Sequence, residues 1–180
     1  CIRDSDGFTH NLTNDQTYGD VNKKAVRVQF LAKLNEDLEA LLKIHGREFK
    51  GDGSSGSLPL GRYYNVGYQR PDGRKIELNT DEDYKLDHSG TSLTLNWNLG
   101  DYTLTSITAW RGWDNTQWQD GDRLASISAA FPGIEDKGEL EYNQYSQELR
   151  LASPKGQFLE YVGGLFYMHG KDEETSVSYT

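Results

Sequence analysis

The chain has 180 residues, a length that fits one domain, with 26% charged residues, a formal net charge of -9 and a sequence pI near 4.9. Lys and Arg are not clustered, which argues against nucleic acid as a partner, because phosphate binding requires grouped cations. No run approaches the roughly 18 apolar residues of a membrane helix and no signal peptide opens the chain; this excludes helical spanning only, since barrel strands are short and alternate and leave no mark in a hydropathy window. Aromatic residues reach 12%, with 11 Tyr and 4 Trp. Cys1 is the single cysteine, so no intrachain disulfide is possible. A first-position cysteine suits a lipidated terminus, but a chain that simply starts here is the plainer account.

In chain order, Ile2 to Asn22 is polar and reads as loop. Residues 25–34 then alternate, with Val26, Val28, Phe30, Ala32 and Leu34 on one face and Arg27, Gln29 and Lys33 on the other; Leu31 breaks the pattern. After a turn at Asn35, Glu36 and Asp37, a return arm sets Leu38, Ala40, Leu42 and Ile44 against Glu39, Lys43, His45 and Arg47, with Leu41 again out of pattern. A helix over 31–44 competes on propensity, but the charged positions would scatter around it. From Lys50 to Leu86 the chain reads as loop, carrying Arg62, Tyr63, Tyr64, Arg70 and a turn at Pro71, Asp72 and Gly73. Alternation resumes from Thr91, with Leu93, Leu95, Trp97 and Leu99 on one face; Gly100 and Asp101 turn the chain and residues 102–113 return. A second long loop, 114–141, holds Trp118 and the Asp120-Gly121-Asp122 triplet, and a last hairpin joins 145–152 to 158–169 through 153–157.

Short turns at 35–37, 100–101 and 153–157 thus alternate with long loops. That asymmetry is typical of outer-membrane barrels, with brief periplasmic turns and long extracellular loops, whereas a soluble sandwich has no reason to sort its loops so. The predicted fold is all-β, an antiparallel transmembrane β-barrel segment of roughly six strands. Val26, Val28, Phe30, Leu42, Ile44, Leu93, Leu95, Leu149 and Leu151 are expected to face lipid, with Arg27, Lys43, Asn96, Glu148 and Arg150 on the lumenal side.

The wording of several stretches goes further than alternation. DGFTHNLTN with YGD, then LNTDEDY, LTLNWNLGDYTLTSITAWR, YNQYSQELRLASP and EYVGGLFY resemble, in that order, consecutive barrel segments of TonB-dependent outer-membrane receptors. The resemblance implies energy-coupled uptake of a scarce ligand, such as a ferric siderophore, across the bacterial outer membrane. It implies as partners the rest of the barrel, a plug domain, TonB and outer-membrane lipid. The family's signal peptide, TonB-contacting box, plug and closing aromatic strand have no counterpart here, so residues 1–180 are expected to be an internal part of a barrel of ~22 strands.

No catalytic or cofactor constellation is evident. The four His, at positions 10, 45, 88 and 169, are too dispersed for a local zinc motif and read as polar barrel or loop residues. Asp120, Gly121 and Asp122 with Asp114 lack EF-hand spacing and read as solvated loop, so no metal site is expected. No GxSxG, phosphate loop or HExxH occurs, and the chain is not read as an enzyme. Trp97, Tyr102, Trp110 and Tyr167 suit interfacial girdles. Ligand contact is expected from aromatic and guanidinium side chains in or beside the long loops: Arg62, Tyr63, Tyr64, Arg70, Trp113 and Trp118. Two competing readings are a secreted β-sandwich that binds carbohydrate, which requires a dry core between two sheets, and a surface-anchored hydrolase, which requires a paired Asp/Glu cleft with one raised pKa.

Overall fold

A computed structural model of the chain describes residues 1–52, 74–121 and 133–179. Its strands are β1 (Ile2–Ser5), β2 (Thr9–Asn11), β3 (Thr17–Tyr18), β4 (Val21–Lys33), β5 (Leu38–Gly51), β6 (Lys75–Ile76), β7 (Asp83–Leu99), β8 (Tyr102–Asp120), β9 (Glu135–Ala152) and β10 (Val162–Tyr179). Seven of them form one sheet in the order β1-β4-β5-β7-β8-β9-β10, with every neighbouring pair antiparallel. The three expected hairpins are present, and consecutive hairpins join through β5–β7 and β8–β9. The helical alternative over 31–44 is overturned, since Leu38–Gly51 is strand.

Local chemistry explains the tight turns. Asn35 Oδ1 accepts the backbone N–H groups of Asp37 (2.9 Å) and Leu38 (2.8 Å), an Asx-type turn that leaves the next residue free to enter β5. Gly100 takes φ +64° at the first central position of the β7–β8 turn, a backbone region closed to most side chains. The β9–β10 connection is longer than expected. Ser153 N–H bonds the Tyr161 carbonyl (2.9 Å), and Tyr161 N–H bonds Ser153 Oγ (2.8 Å), so Phe158 to Tyr161 lie in the connection and the strand begins at Val162.

Register sorts the side chains as expected. Val28 lies opposite Ile44, Phe30 opposite Leu42, Leu42 opposite Leu93, and Leu149 opposite Leu165, all on one face. The intervening positions, among them Arg27, Lys43, Asn96, Glu148 and Arg150, occupy the other. Leu31 and Leu41, the two exceptions to alternation, are register partners of each other on this polar face. Ser106, Thr108 and Gln147, polar residues inside the apolar face, satisfy one another across β8 and β9: Thr108 Oγ1 donates to Gln147 Oε1 (2.5 Å) and Gln147 Nε2 to Ser106 Oγ (3.0 Å).

Among the described residues no layer covers the apolar face. Val26 is 64% exposed and Leu165 77%, while the buried apolar side chains among the described residues are Tyr18, Ile76 and Leu78. These three sit at the small second sheet, β3-β2-β6, not between two large ones. A β-sandwich, which needs a dry core between its sheets, is therefore excluded.

Segments expected to be loop are strand: 75–76 in β6, 83–86 at the start of β7, 114–120 in β8, 135–141 in β9 and parts of 2–22 in β1 to β4. Strand β10 also runs past His169 to Tyr179. The N-terminal stretch is tied down by Asn11, fully buried, whose amide bridges both backbone groups of Leu78: Nδ2 donates to the carbonyl at 3.0 Å and Oδ1 accepts the N–H at 3.0 Å. Asn11 thereby replaces the missing strand ladder of that segment.

Candidate functional site

The long strands carry a polar face well past the apolar band, and register collects dispersed residues on it. Arg27, His45, Gly90, Arg111 and Gln144 form one row across β4, β5, β7, β8 and β9. The next row towards the long connections holds Arg47, His88, Trp113 and Tyr142. Gly90 gives the His45 ring its seat, because a Cβ there would stand 2.7 Å from His45 Cε1. The imidazoles of His45 and His88 lie with centroids 5.1 Å apart. Arg111 Nε and the Tyr142 hydroxyl both donate to Gln144 Oε1, each at 3.0 Å, which fixes a buried amide between a guanidinium and a phenol. Tyr142 in turn packs against Trp113 at 5.4 Å.

Beside these rows a cleft of about 460 Å³ opens near β1, lined in part by Lys23, Arg47, Phe49, Tyr84 and Leu86. Its walls are braced by Lys23 Nζ over the Phe49 ring at 4.7 Å and by an edge-on contact of Phe49 with Tyr84 at 5.2 Å.

Charge is partitioned between the faces. Beyond the apolar band, on the band's own face, cations are paired: Lys24 and Lys50 with Glu48, Lys85 with Asp87, Lys137 with Glu139 and Lys171 with Glu173. On the polar face, Arg150 pairs with Glu148 near the β9–β10 connection. Among the described residues, Arg27, Lys43, Arg47 and Arg111 have no carboxylate partner. A chain of net charge -9 thus holds, on its polar face, four cations with no carboxylate within 4.0 Å among the described residues.

Of the residues singled out in sequence, Trp113 and Trp118 fall within strand β8, on opposite faces: Trp113 faces the patch, whereas Trp118, opposite Asp83, shares the face of the apolar band. Arg62, Tyr63, Tyr64 and Arg70 lie outside the described residues. Asp120 is not a solvated loop residue; it is 1% exposed at the end of β8 and its Oδ2 accepts the Asn79 N–H at 3.0 Å. Among the described residues no three His, Cys, Asp or Glu gather as metal ligands. His45 and His88, remote in sequence, were legible only as separate polar residues; diagonal placement on neighbouring strands is what unites them.

One carboxylate pair has the raised pKa a hydrolase would need. Burial, aided by the facing Asp20 carboxylate and opposed by the Gly19 N–H, holds the Asp52 carboxyl above its ordinary value. Its Oδ1, however, accepts the N–H groups of Gly19 (2.7 Å) and Asp20 (2.9 Å), and Asp20 Oδ1 accepts the Asp52 N–H (2.8 Å). The two carboxylates clasp backbone.

No family model matches the chain, and no curated protein matches it. Among solved structures it is similar to the ferric yersiniabactin uptake receptor FyuA from Yersinia pestis, with a TM-score of 0.76 at 16% identity, over 99% of this chain and 26% of that receptor. The likeness shows the fold, an antiparallel β-barrel segment that is open at both edges. The chain spans about a quarter of the receptor's length.

Proposed function

We propose that the chain is a wall segment of a TonB-dependent receptor that takes up a small scarce ligand, such as a ferric siderophore, across the bacterial outer membrane. The observation that carries this reading is the uncovered apolar band on one face of a single antiparallel sheet, backed by a polar face. From Tyr102 to Trp110 β8 advances roughly 26 Å at about 3.3 Å per residue, about 20 Å along the membrane normal at a tilt near 40°, which approaches the ~25 Å apolar band of such barrels. Aromatic residues bound the band: Trp97 and Tyr102 towards the short turns, Trp110 opposite Tyr145 towards the long connections. In water such a face would aggregate; in lipid it is the stable arrangement.

An open sheet cannot persist in hydrocarbon, because unpaired edge groups cost several kcal/mol each, so the reading requires the rest of the barrel as partner. The resemblance adds a plug and TonB. The similar solved structure is of an uptake receptor, and we assign this chain no catalytic step. For ligand contact we assign Trp113 on the wall and Arg62, Tyr63, Tyr64 and Arg70 in the preceding connection. Trp118 stands on the opposite face, where it could reach a ligand only over the rim.

The test is complementation. The complete receptor, expressed in a strain stripped of its own chelate receptors, is expected to restore growth on chelated iron only when TonB is intact. Growth independent of TonB, or a protein recovered from the soluble fraction, would overturn the reading.

A further inference from the structure

We infer that the ligand this wall meets is a small anion with a flat unsaturated portion, held by Arg47 and Arg111 against the rings of Trp113 and Tyr142; this rests on the uptake reading above. The warrant is the unequal treatment of cations on the two faces. Where the band's face leaves lipid, each Lys has a carboxylate within 4.0 Å. On the polar face Arg27, Lys43, Arg47 and Arg111 have none, although Arg27 stands diagonal to both Lys43 and Arg47, about 7–8 Å away, where like charges repel. Repulsion maintained without a counter-charge in the fold is what a site for a separate anion looks like. His88 Nδ1 adds a buried ring nitrogen with no hydrogen-bond partner at the same place.

The chemistry of the patch narrows the occupant. A bare divalent metal is disfavoured, because two imidazoles are its only ligands and guanidinium groups flank them on both sides. An acidic protein segment would be met by cations alone. Here the cations alternate with aromatic faces, and the adjoining cleft of about 460 Å³ is of small-ligand size. Guanidinium forks suit carboxylate, phosphate or catecholate oxygens, and the indole and phenol supply stacking area beside them. The patch also lies on the side of the band towards the long connections, where an incoming ligand arrives first.

The test uses the complete receptor in detergent, titrated with a polyanionic ferric tris-catecholate and with a neutral ferric trihydroxamate of similar size, with tryptophan quenching reporting occupancy. The anionic chelate is expected to bind at least tenfold more tightly, with an affinity that falls as salt rises. Replacing both Arg47→Gln and Arg111→Gln is expected to weaken it about a hundredfold, roughly tenfold per charge, while Lys171→Gln, paired with Glu173 on the other face and outside the cleft, leaves it unchanged. The Arg47→Lys, Arg111→Lys variant, which keeps the charges, guards against loss of fold: anion binding within tenfold of the parent supports the inference. Anion binding that survives the Gln pair, or is lost in the Lys pair as well, overturns it. Equal or tighter binding of the neutral chelate overturns this inference and leaves the uptake reading standing; binding of neither chelate overturns both.

Discussion

Trp113 and Trp118, both on β8, stand on opposite faces of the sheet, the first against Tyr142 and the second opposite Asp83 beyond the apolar band. Period-2 geometry makes this unavoidable for residues an odd number apart in one strand. Trp113→Ala in the complete receptor is therefore expected to lower ligand affinity about tenfold, the loss of a stacking face, and Trp118→Ala to leave it within about twofold. A larger loss at Trp118 than at Trp113 in equilibrium titration would show that the ligand contacts the outer rim.

The same geometry separates Leu95 from its neighbour Asn96. Leu95 lies opposite Ala40 within the apolar band, whereas Asn96 points to the polar face and accepts the Thr105 hydroxyl at 2.9 Å. Leu95→Lys is expected to destabilise the barrel by ~2–4 kcal/mol, as a cation placed near the bilayer midplane. Asn96→Lys should lose only about 1 kcal/mol, one net hydrogen bond. Reversible urea unfolding in lipid vesicles measures both, and equal costs would contradict the lipid-facing assignment.

Which parts of this fold were legible in sequence follows from what alternation needs. A strand announces itself when one face is apolar and the other polar, and that holds for Val26 to Phe30, Leu93 to Leu99 and Leu149 to Leu151. Past the band both faces are wet. Asp83 to Asp87, Asp114 to Asp120 and Glu135 to Glu141 then read as charged loop although they are paired strand. Strands β2, β3 and β6 have only two or three residues each, too few for any periodicity, and depend on Asn11 reaching Leu78. The patch was illegible for a related reason: His45, His88 and Arg111 become neighbours only through a register that no single segment encodes.

The β7–β8 turn offers a backbone test free of packing effects. Gly100 has φ +64°, and a Cβ built there would meet nothing within 4 Å. Gly100→Ala should therefore cost about 1–2 kcal/mol from the left-handed backbone alone, and Gly100→Asn less, since Asn tolerates that region. Unfolding free energies that rank Ala at or above the parent would mean that the turn has rearranged.

The Asp20–Asp52 clasp yields a pH dependence with a definite sign. Burial, with the Asp20 carboxylate adding to it, raises the folded-state pKa of Asp52 above its unfolded value, despite the Gly19 N–H acting the other way. A carboxyl raised on folding binds its proton more tightly in the folded state. Its contribution to stability is therefore fully present below the unfolded pKa, near ~3.9, and is lost as pH rises through the folded one. Hydrogen exchange at the Gly19 and Asp20 amides, corrected for intrinsic rates, is expected to show more protection near pH 4 than near pH 7, because these amides are the ones Asp52 holds. Asp52→Asn keeps an acceptor oxygen and removes the charge, so protection should lose its pH dependence and at neutral pH should match or exceed the parent. Gly51→Ala places a Cβ 2.6 Å from the Asp20 carbonyl oxygen and should open the clasp at every pH. Protection that increases with pH in the parent chain would mean that the attraction of the ionised Asp52 for its two amides outweighs both its burial and the facing Asp20 charge.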